Sequence, residues 1–252
     1  MPKAQTLEKG NIYFFYRPKV EEESVEGIKD VQRMYMVLSP EKHKDYRLAI
    51  IGRKHLPDPS KKGKGKIWGF VDMVAKSPDE IEKELQEEHY DTKTRGQRTI
   101  PAARVAGEGV YRIVNHNGHT HLAYSLELPK KEGEVQKEFE INDEASYIIN
   151  IKNPEKPAPK NTGLSNKKQA HFPKTLQNKF EDRKFYALNP PHYLDYEGAE
   201  FIMVSAAKDI KNELGITLNT EDENQNDADV YNDLHIDKEK HPVEPLFKGK
   251  WA

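Results

Sequence analysis

The 252 residues carry 33% charged and 35% hydrophobic side chains at a mean hydropathy of −0.92, long enough to bury a real core and polar enough that some segments are expected to stay unfolded. A net charge of −2 hides acidic blocks at 21–23 and 221–233 and basic ones at 61–66 and 93–104, so the overall balance argues neither for nor against nucleic acid. No cysteine is present, which excludes disulfides, thiol nucleophiles, zinc ribbons and iron–sulfur ligation; with no run of 18 apolar residues and no secretory-type leader, a soluble cytoplasmic protein without a membrane partner is expected.

In chain order, residues 11–16, NIYFFY, read as a buried strand closed by Arg17-Pro18. The acidic 20–30 segment reads as a surface loop. VQRMYMVL at 31–38 and YRLAIIG at 46–52 pair as a hairpin through the loop 39–45. The basic KKGKGK stretch at 61–66 has no phosphate-loop arrangement of glycines and reads as a solvated loop. IWGFVDMV at 67–74 is a fourth strand, and Ser77-Pro78-Asp79-Glu80 is a capping-box start for a helix reaching about Glu88, with Ile81 and Leu85 inward.

Residues 90–107 lack a regular pattern and carry Lys93, Arg95, Arg98 and Arg104, broken by Gly96 and Pro101. Arginine forks suit phosphate or carboxylate, and loops on a rigid sheet are where sites commonly sit. Arg95, Arg98 and Arg104, with Arg112 on the following strand, are therefore the candidate ligand-binding residues. The plainer reading is that they satisfy nearby carboxylates and carbonyls.

The stretch 109–128 is the one on which turn chemistry and apolar pattern agree. Asn117-Gly118 predicts a two-residue type I′ turn, which sets His116 opposite His119, Val114 opposite His121 and Tyr111 opposite Tyr124. One face then carries Tyr111, Ile113, Leu122, Tyr124, Leu126 and Leu128 toward the core. The other carries Val110, Arg112, Val114, Ala123, Ser125 and Glu127, together with His116, His119 and His121. Three imidazoles on one accessible face can hold a divalent metal such as zinc, with a fourth position for water. A carboxylate from Glu108, Asp72 or Asp195 would have to complete such a site, and the plainer reading is a solvated hairpin tip.

Beyond the hairpin, 133–141 reads as a short helix and 145–152 as a strand. The proline- and lysine-rich 153–163 is a surface connector. Ser165 starts a helix interrupted by Pro173, and 173–180 begins another. Strands at 184–188 and 201–205 bracket a proline-stiffened loop, and a last helix at 207–214 stops at Gly215. Three places share a strand running into a short acidic helix: IWGFVDMV with DEIEKEL, LAYSLEL with EVQKEF, and EFIMVSA with DIKNELGI. From Asn219 the composition collapses into Asp, Glu and Asn, as in a disordered segment, but Leu246, Phe247 and Trp251 are expected to dock back on the domain or on a protein partner.

The segments GNIYFFYRPKV, DVQRMYMVL, IIGRKHLP, PAARVAGEGVY, HTHLAYSLELP, YIINIKNPE and LDYEGAEF together resemble a family of uncharacterised bacterial proteins across most of residues 8–218. The resemblance implies no activity and carries over no catalytic residue. The expected fold is α+β: one domain at 1–218 with a mostly antiparallel sheet of six to eight strands and three to five short helices, then a disordered acidic tail at 219–252 with a docking stretch at 241–252. The expected function is recognition of an anionic partner, nucleic acid or a phosphorylated ligand, through the arginine-rich segment. A metal-dependent hydrolase built on the three histidines and a structural subunit of an assembly are the alternatives.

Overall fold

The computed structural model describes residues 4–43, 45–159 and 162–252; Lys44, in the loop 39–45, and Lys160 and Asn161, in the connector 153–163, lie outside the described residues. The strands are β1 (Gln5–Pro18), β2 (Val31–Pro40), β3 (Tyr46–Ile51), β4 (Lys66–Ala75), β5 (Glu88–Thr92), β6 (Gly96–Ile100), β7 (Arg104–His116), β8 (His119–Leu128), β9 (Glu144–Lys152), β10 (Phe185–Ala187) and β11 (Glu200–Ala207). The helices are short: α1 (Pro78–Leu85), α2 (Glu134–Phe139), α3 (Lys174–Gln177), α4 (Ile210–Leu214), α5 (Asp229–Asn232) and α6 (Glu244–Lys248).

Eight strands close on themselves in the order β1-β2-β3-β4-β11-β9-β8-β7, every pair antiparallel, with β7 returning to β1. β10 pairs with the last residues of β9, beyond the point where β8 ends. The expected open α+β sheet is thereby corrected to a closed β-barrel. Its closure depends on β4–β11 and β8–β9, pairings between distant segments that leave no mark in local sequence pattern, and it removes the free edges an open sheet must protect.

Closure also explains why the first strands are apolar on both faces. Phe14, Ile113, Tyr124, Tyr147, Phe201 and Met203 point inward and fill the barrel. Tyr13, Phe15, Tyr35 and Val37 point outward and are equally buried, because α1 and the C-terminal segment lie over them through Ile81, Leu85, Ala228, Val230, Leu234, Ile236 and Leu246. The tail at 219–252 is thus an ordered outer layer, correcting the expectation of disorder. Its few aliphatic residues suffice because the barrel offers them a ready apolar surface.

Both barrel mouths are closed. At one, Phe139 of α2 and the docked Trp251 pack on Tyr16, with ring centroids 5.4 and 5.3 Å from it, so the terminal aromatic stretch docks in cis. At the other, Phe172, Phe180 and Tyr193 form an aromatic cap, and the Tyr193 hydroxyl donates to the Leu176 carbonyl at 2.8 Å. Beneath this cap the Arg47 guanidinium donates to Glu8 at 2.6 and 2.9 Å and to Asp195 at 2.8 Å, while the Tyr111 hydroxyl donates to Glu8 at 2.8 Å.

Several local readings are confirmed. The strands β2 and β3 pair as expected, and the β7–β8 hairpin adopts the expected register, with Asn117 and Gly118 at φ 50° and 80°. Each strand–helix echo is a barrel strand followed by a short helix, β4 by α1, β8 by α2 and β11 by α4. Others are corrected. Residues 88–100 form the β5–β6 hairpin, turned at Gly96 (φ 68°), where no regular structure was expected. Ser165 precedes only a single 3-10 turn at Asn166–Lys168. Leu128 faces outward, since a register shift opposite Glu108–Gly109 makes Glu127 an extra residue and turns Leu128 to the outer layer.

Candidate functional site

The four arginines do not converge. Arg95 is exposed in the β5–β6 turn. Arg98 is paired with Glu21 at 2.7 Å, a hydrogen bond that holds the Glu21 carboxyl below its ordinary range. Arg104 is buried at the start of β7, donates to the Glu23 carbonyl at 2.7 Å and lies 6.0 Å from the Tyr16 ring centre. Arg98 therefore fastens the acidic 21–23 loop to the β5–β6 hairpin, and Arg104 fastens it to the barrel. Arg112 stands apart from them on the outer face of β7, opposite Lys9 and Ala123.

The three histidines do share the outer face of the β7–β8 hairpin, but that face is covered. α4 and the residues after it bury Val114 and Ala123 under Ile210, Leu214 and Ile216, leaving His116 and His121 at 8% and 3% exposure and His119 exposed. The His116 and His121 rings stand 6.2 Å apart, both Nδ1 atoms lack a hydrogen-bond partner, and His116 Nε2 meets the Asn117 side chain at 2.9 Å. Of Glu108, Asp72 and Asp195, the carboxylates expected to complete this site, none acts on it: Glu108 lies under the C-terminal segment, Asp72 on β4 and Asp195 on Arg47. Burial, with His116, His119 and Lys62 adding to it against Glu213, pushes the His121 imidazole down to about 4. His121 is expected to show no titration between about pH 5 and 8 in two-dimensional NMR, where an ordinary histidine turns over. Because its folded value is depressed, protonation works against the fold, and stability is lost as pH falls from about 6.5 toward 4.

Two clefts lie elsewhere, on either side of the segment 164–171. One cleft of about 650 Å³ is lined by Arg33, Ile50, Phe70, Asp72, Lys167, Lys168, His171 and Glu197. A second, of about 660 Å³, lies between 164–172 and the connector at 154–158 with Lys156. Alternation along β2, β3 and β4 turns Arg33, Ile50, Phe70 and Asp72 outward onto one floor. Asp72 is the extra residue of a bulge, because Leu48 pairs with Met73 and Ala49 with Val71. Bulges of this kind re-aim a side chain next to binding sites.

The dividing wall is held at both ends. The buried Glu200 accepts from the Leu164 amide at 2.8 Å and the Trp68 indole at 3.1 Å, and pairs with the buried Lys152 at 3.0 Å. At the other end the Ala170 amide donates to the Gly198 carbonyl at 3.1 Å, and Gly198 itself donates to Val71 at 2.7 Å. Only glycine fits there: φ is 77°, and a Cβ would stand 2.1 Å from the Lys168 carbonyl. Burial raises the Asp72 carboxyl, against Arg33 and Lys168 and with Glu197. A carboxyl displaced by burial within a cleft makes that cleft a candidate site.

Asp72 was named from sequence; Arg33, Lys167, Lys168 and His171 were not. A lone arginine in an apolar strand has no distinctive pattern, and the Lys167-Lys168 pair reads like any solvated surface until Gly198 and Glu200 hold it against the barrel. Compared with protein-family models, with the curated proteins and with the solved structures, the chain gives no match. No helix among the described residues is long and apolar enough to cross a membrane.

Proposed function

We propose that this chain is a binding module that recognises an anionic partner in the cleft between β2–β3–β4 and the segment 164–171. The observation that carries this reading is one cleft in which the apolar Ile50 and Phe70 stand with Arg33 on the barrel face and Lys167 and Lys168 on the segment 164–171. The barrel interior is filled, so a ligand is taken on the outer surface. A molecule with an anionic group on an apolar or aromatic body fits both parts of the cleft, the guanidinium fork holding the anion and the aromatic ring the body. Asp72 and Glu197 disfavour a polyanion as dense as a nucleic-acid backbone and favour a single anionic group beside a hydrogen-bond donor.

The test uses anilinonaphthalene sulfonate, a fluorescent probe with one sulfonate on an aromatic frame. It is expected to bind the full chain, to weaken as salt screens the charges, and to lose most of its affinity in the Arg33→Ala, Lys168→Ala double variant. Binding that ignores both salt and the double variant would remove the reading.

A further inference from the structure

On the far side of the barrel a second group of side chains has no role in that cleft. Glu127, Glu223 and Asp229 each offer a carboxylate oxygen, and these atoms all lie within 4.8 Å of one another. They come from two layers: Glu127 is the bulge residue of β8, and Glu223 and Asp229 belong to the acidic segment laid over the barrel. A fourth carboxylate, Glu108 of β7, is fully buried beneath them and meets Glu223 side chain to side chain. One Glu108 oxygen accepts from the Val230 amide at 2.9 Å, while the other, Oε1, is buried without any donor. Oε2 of Glu223, on a residue only 6% exposed, is likewise buried and unpartnered.

No lysine, arginine or histidine among the described residues makes an ion pair with any of the four; nearby Lys130 pairs with the exposed Asp222. The other groups facing the cluster are themselves acidic or phenolic. Glu221 lies beside Glu127, Asp233 shares the Asn11 amide with Asp229, and the Tyr13 hydroxyl donates to Asp233. Burying Glu108 and Glu223 with an unpartnered oxygen on each, beside Glu127 and the half-buried Asp229, is unfavourable unless a cation or protons neutralise them.

We propose that these carboxylates form a calcium site that fastens the acidic C-terminal segment to the barrel. The donor set is all oxygen, which suits a hard cation and not zinc. Within that class the number of protein carboxylates points to calcium, whose flexible coordination takes several at once, whereas Mg²⁺ demands near-ideal octahedral geometry, keeps several waters and is usually held by one or two. Alternation turns Glu127 outward, and the bulge sets it as an extra residue next to the Glu108–Leu128 pair, beside Glu108 on the outer face. Remaining positions on the ion are open to water.

Without the ion, protons take its place. Burial raises Glu108, Glu127 and Asp229 to about 7 and Glu223 to about 8, with the neighbouring carboxylates adding to it. Raised folded values mean that the metal-free protein is most stable below the ordinary carboxylate range and loses stability as pH rises through about 7–8. Calcium displaces those protons, so its effect grows with pH.

The full-length protein, freed of metal with chelator, is melted and titrated calorimetrically with CaCl₂ at about pH 8. At free Ca²⁺ 100 times its Kd the folding constant should rise about 100-fold, an increase in Tm of about 5–10 °C. Glu223→Gln is expected to abolish that response and yet to melt above the metal-free parent at the same pH, since it removes one of the uncompensated charges. Should that variant fail to fold, terbium luminescence of the parent decides: excitation through Tyr13 and Tyr231 should sensitise a bound Tb³⁺ ion, and CaCl₂ should quench the signal. No calcium heat, no shift in Tm and no sensitised terbium, with stability falling steadily as pH rises, would overturn the proposal and leave a proton-sharing cluster.

Discussion

Residues 1–218, produced without the C-terminal segment, are expected to aggregate instead of forming a monomeric barrel. That segment buries Val230, Leu234, Ile236 and Leu246 at 0–3% exposure against Tyr13, Phe15, Tyr35 and Val37. Each such aliphatic side chain is worth about 1.5–3 kcal/mol on full burial, so the four together bring about 6–12 kcal/mol before the cost of ordering the segment. A domain of this kind has about 5–15 kcal/mol of net stability in all. Truncation also strips the cover from outward-facing aromatics on two adjacent strands, a contiguous apolar patch of the kind that associates. Size-exclusion chromatography and a thermal melt of the truncated chain are the check. A monomer with a cooperative transition near that of the full chain would show that the barrel stands without its outer layer.

Arg47→Met is the second large effect, at about 3–5 kcal/mol of lost stability, because it removes the guanidinium that pairs with both Glu8 and Asp195 and leaves the buried Glu8 without that countercharge. Arg47 and Glu8 have 1% and 6% of their side chains exposed and are joined by a two-pronged contact, with Asp195 reached at 2.6 Å by a third. Methionine matches the length of the stem but leaves Glu8, among the described residues, with the Tyr111 hydroxyl as its side-chain partner. For a chain of this size the loss corresponds to a fall in Tm of about 6–20 °C. Adding Glu8→Gln to Arg47→Met should restore part of it, since the pair is coupled and its removal as a unit leaves less unpaired charge. Urea denaturation of the two single variants and the double variant measures this coupling. Additive losses would mean that Glu8 and Arg47 stabilise the barrel mouth independently.

The same cluster shows why the fold was only partly legible. Arg47 follows Tyr46 at the start of a strand and has the local pattern of a solvated strand end; its burial depends on Asp195, 148 residues away, arriving with the cap over the barrel mouth. The three histidines make the opposite case. Asn117-Gly118 correctly predicts their register and common face, but not that α4 covers His116 and His121. Arg98 and Arg104 follow suit: a cation-rich run was plain to read, but two of its members hold the 21–23 loop.

What the sequence determined by itself was local. Alternation placed Tyr111, Ile113, Leu122 and Tyr124 on one face, turn residues set the hairpins, and Leu246, Phe247 and Trp251 marked a stretch that docks. What only the tertiary structure decided was closure and covering: the β4–β11 and β8–β9 pairings that make the sheet a barrel, the acidic segment that becomes an outer layer, and the meeting of Arg33 with Lys168 and of Glu108 with Glu223. The physical reason is range. Strand pattern and turn chemistry act over a few residues, whereas burial and charge depend on which distant surface arrives opposite, and that is settled only when the whole chain has folded.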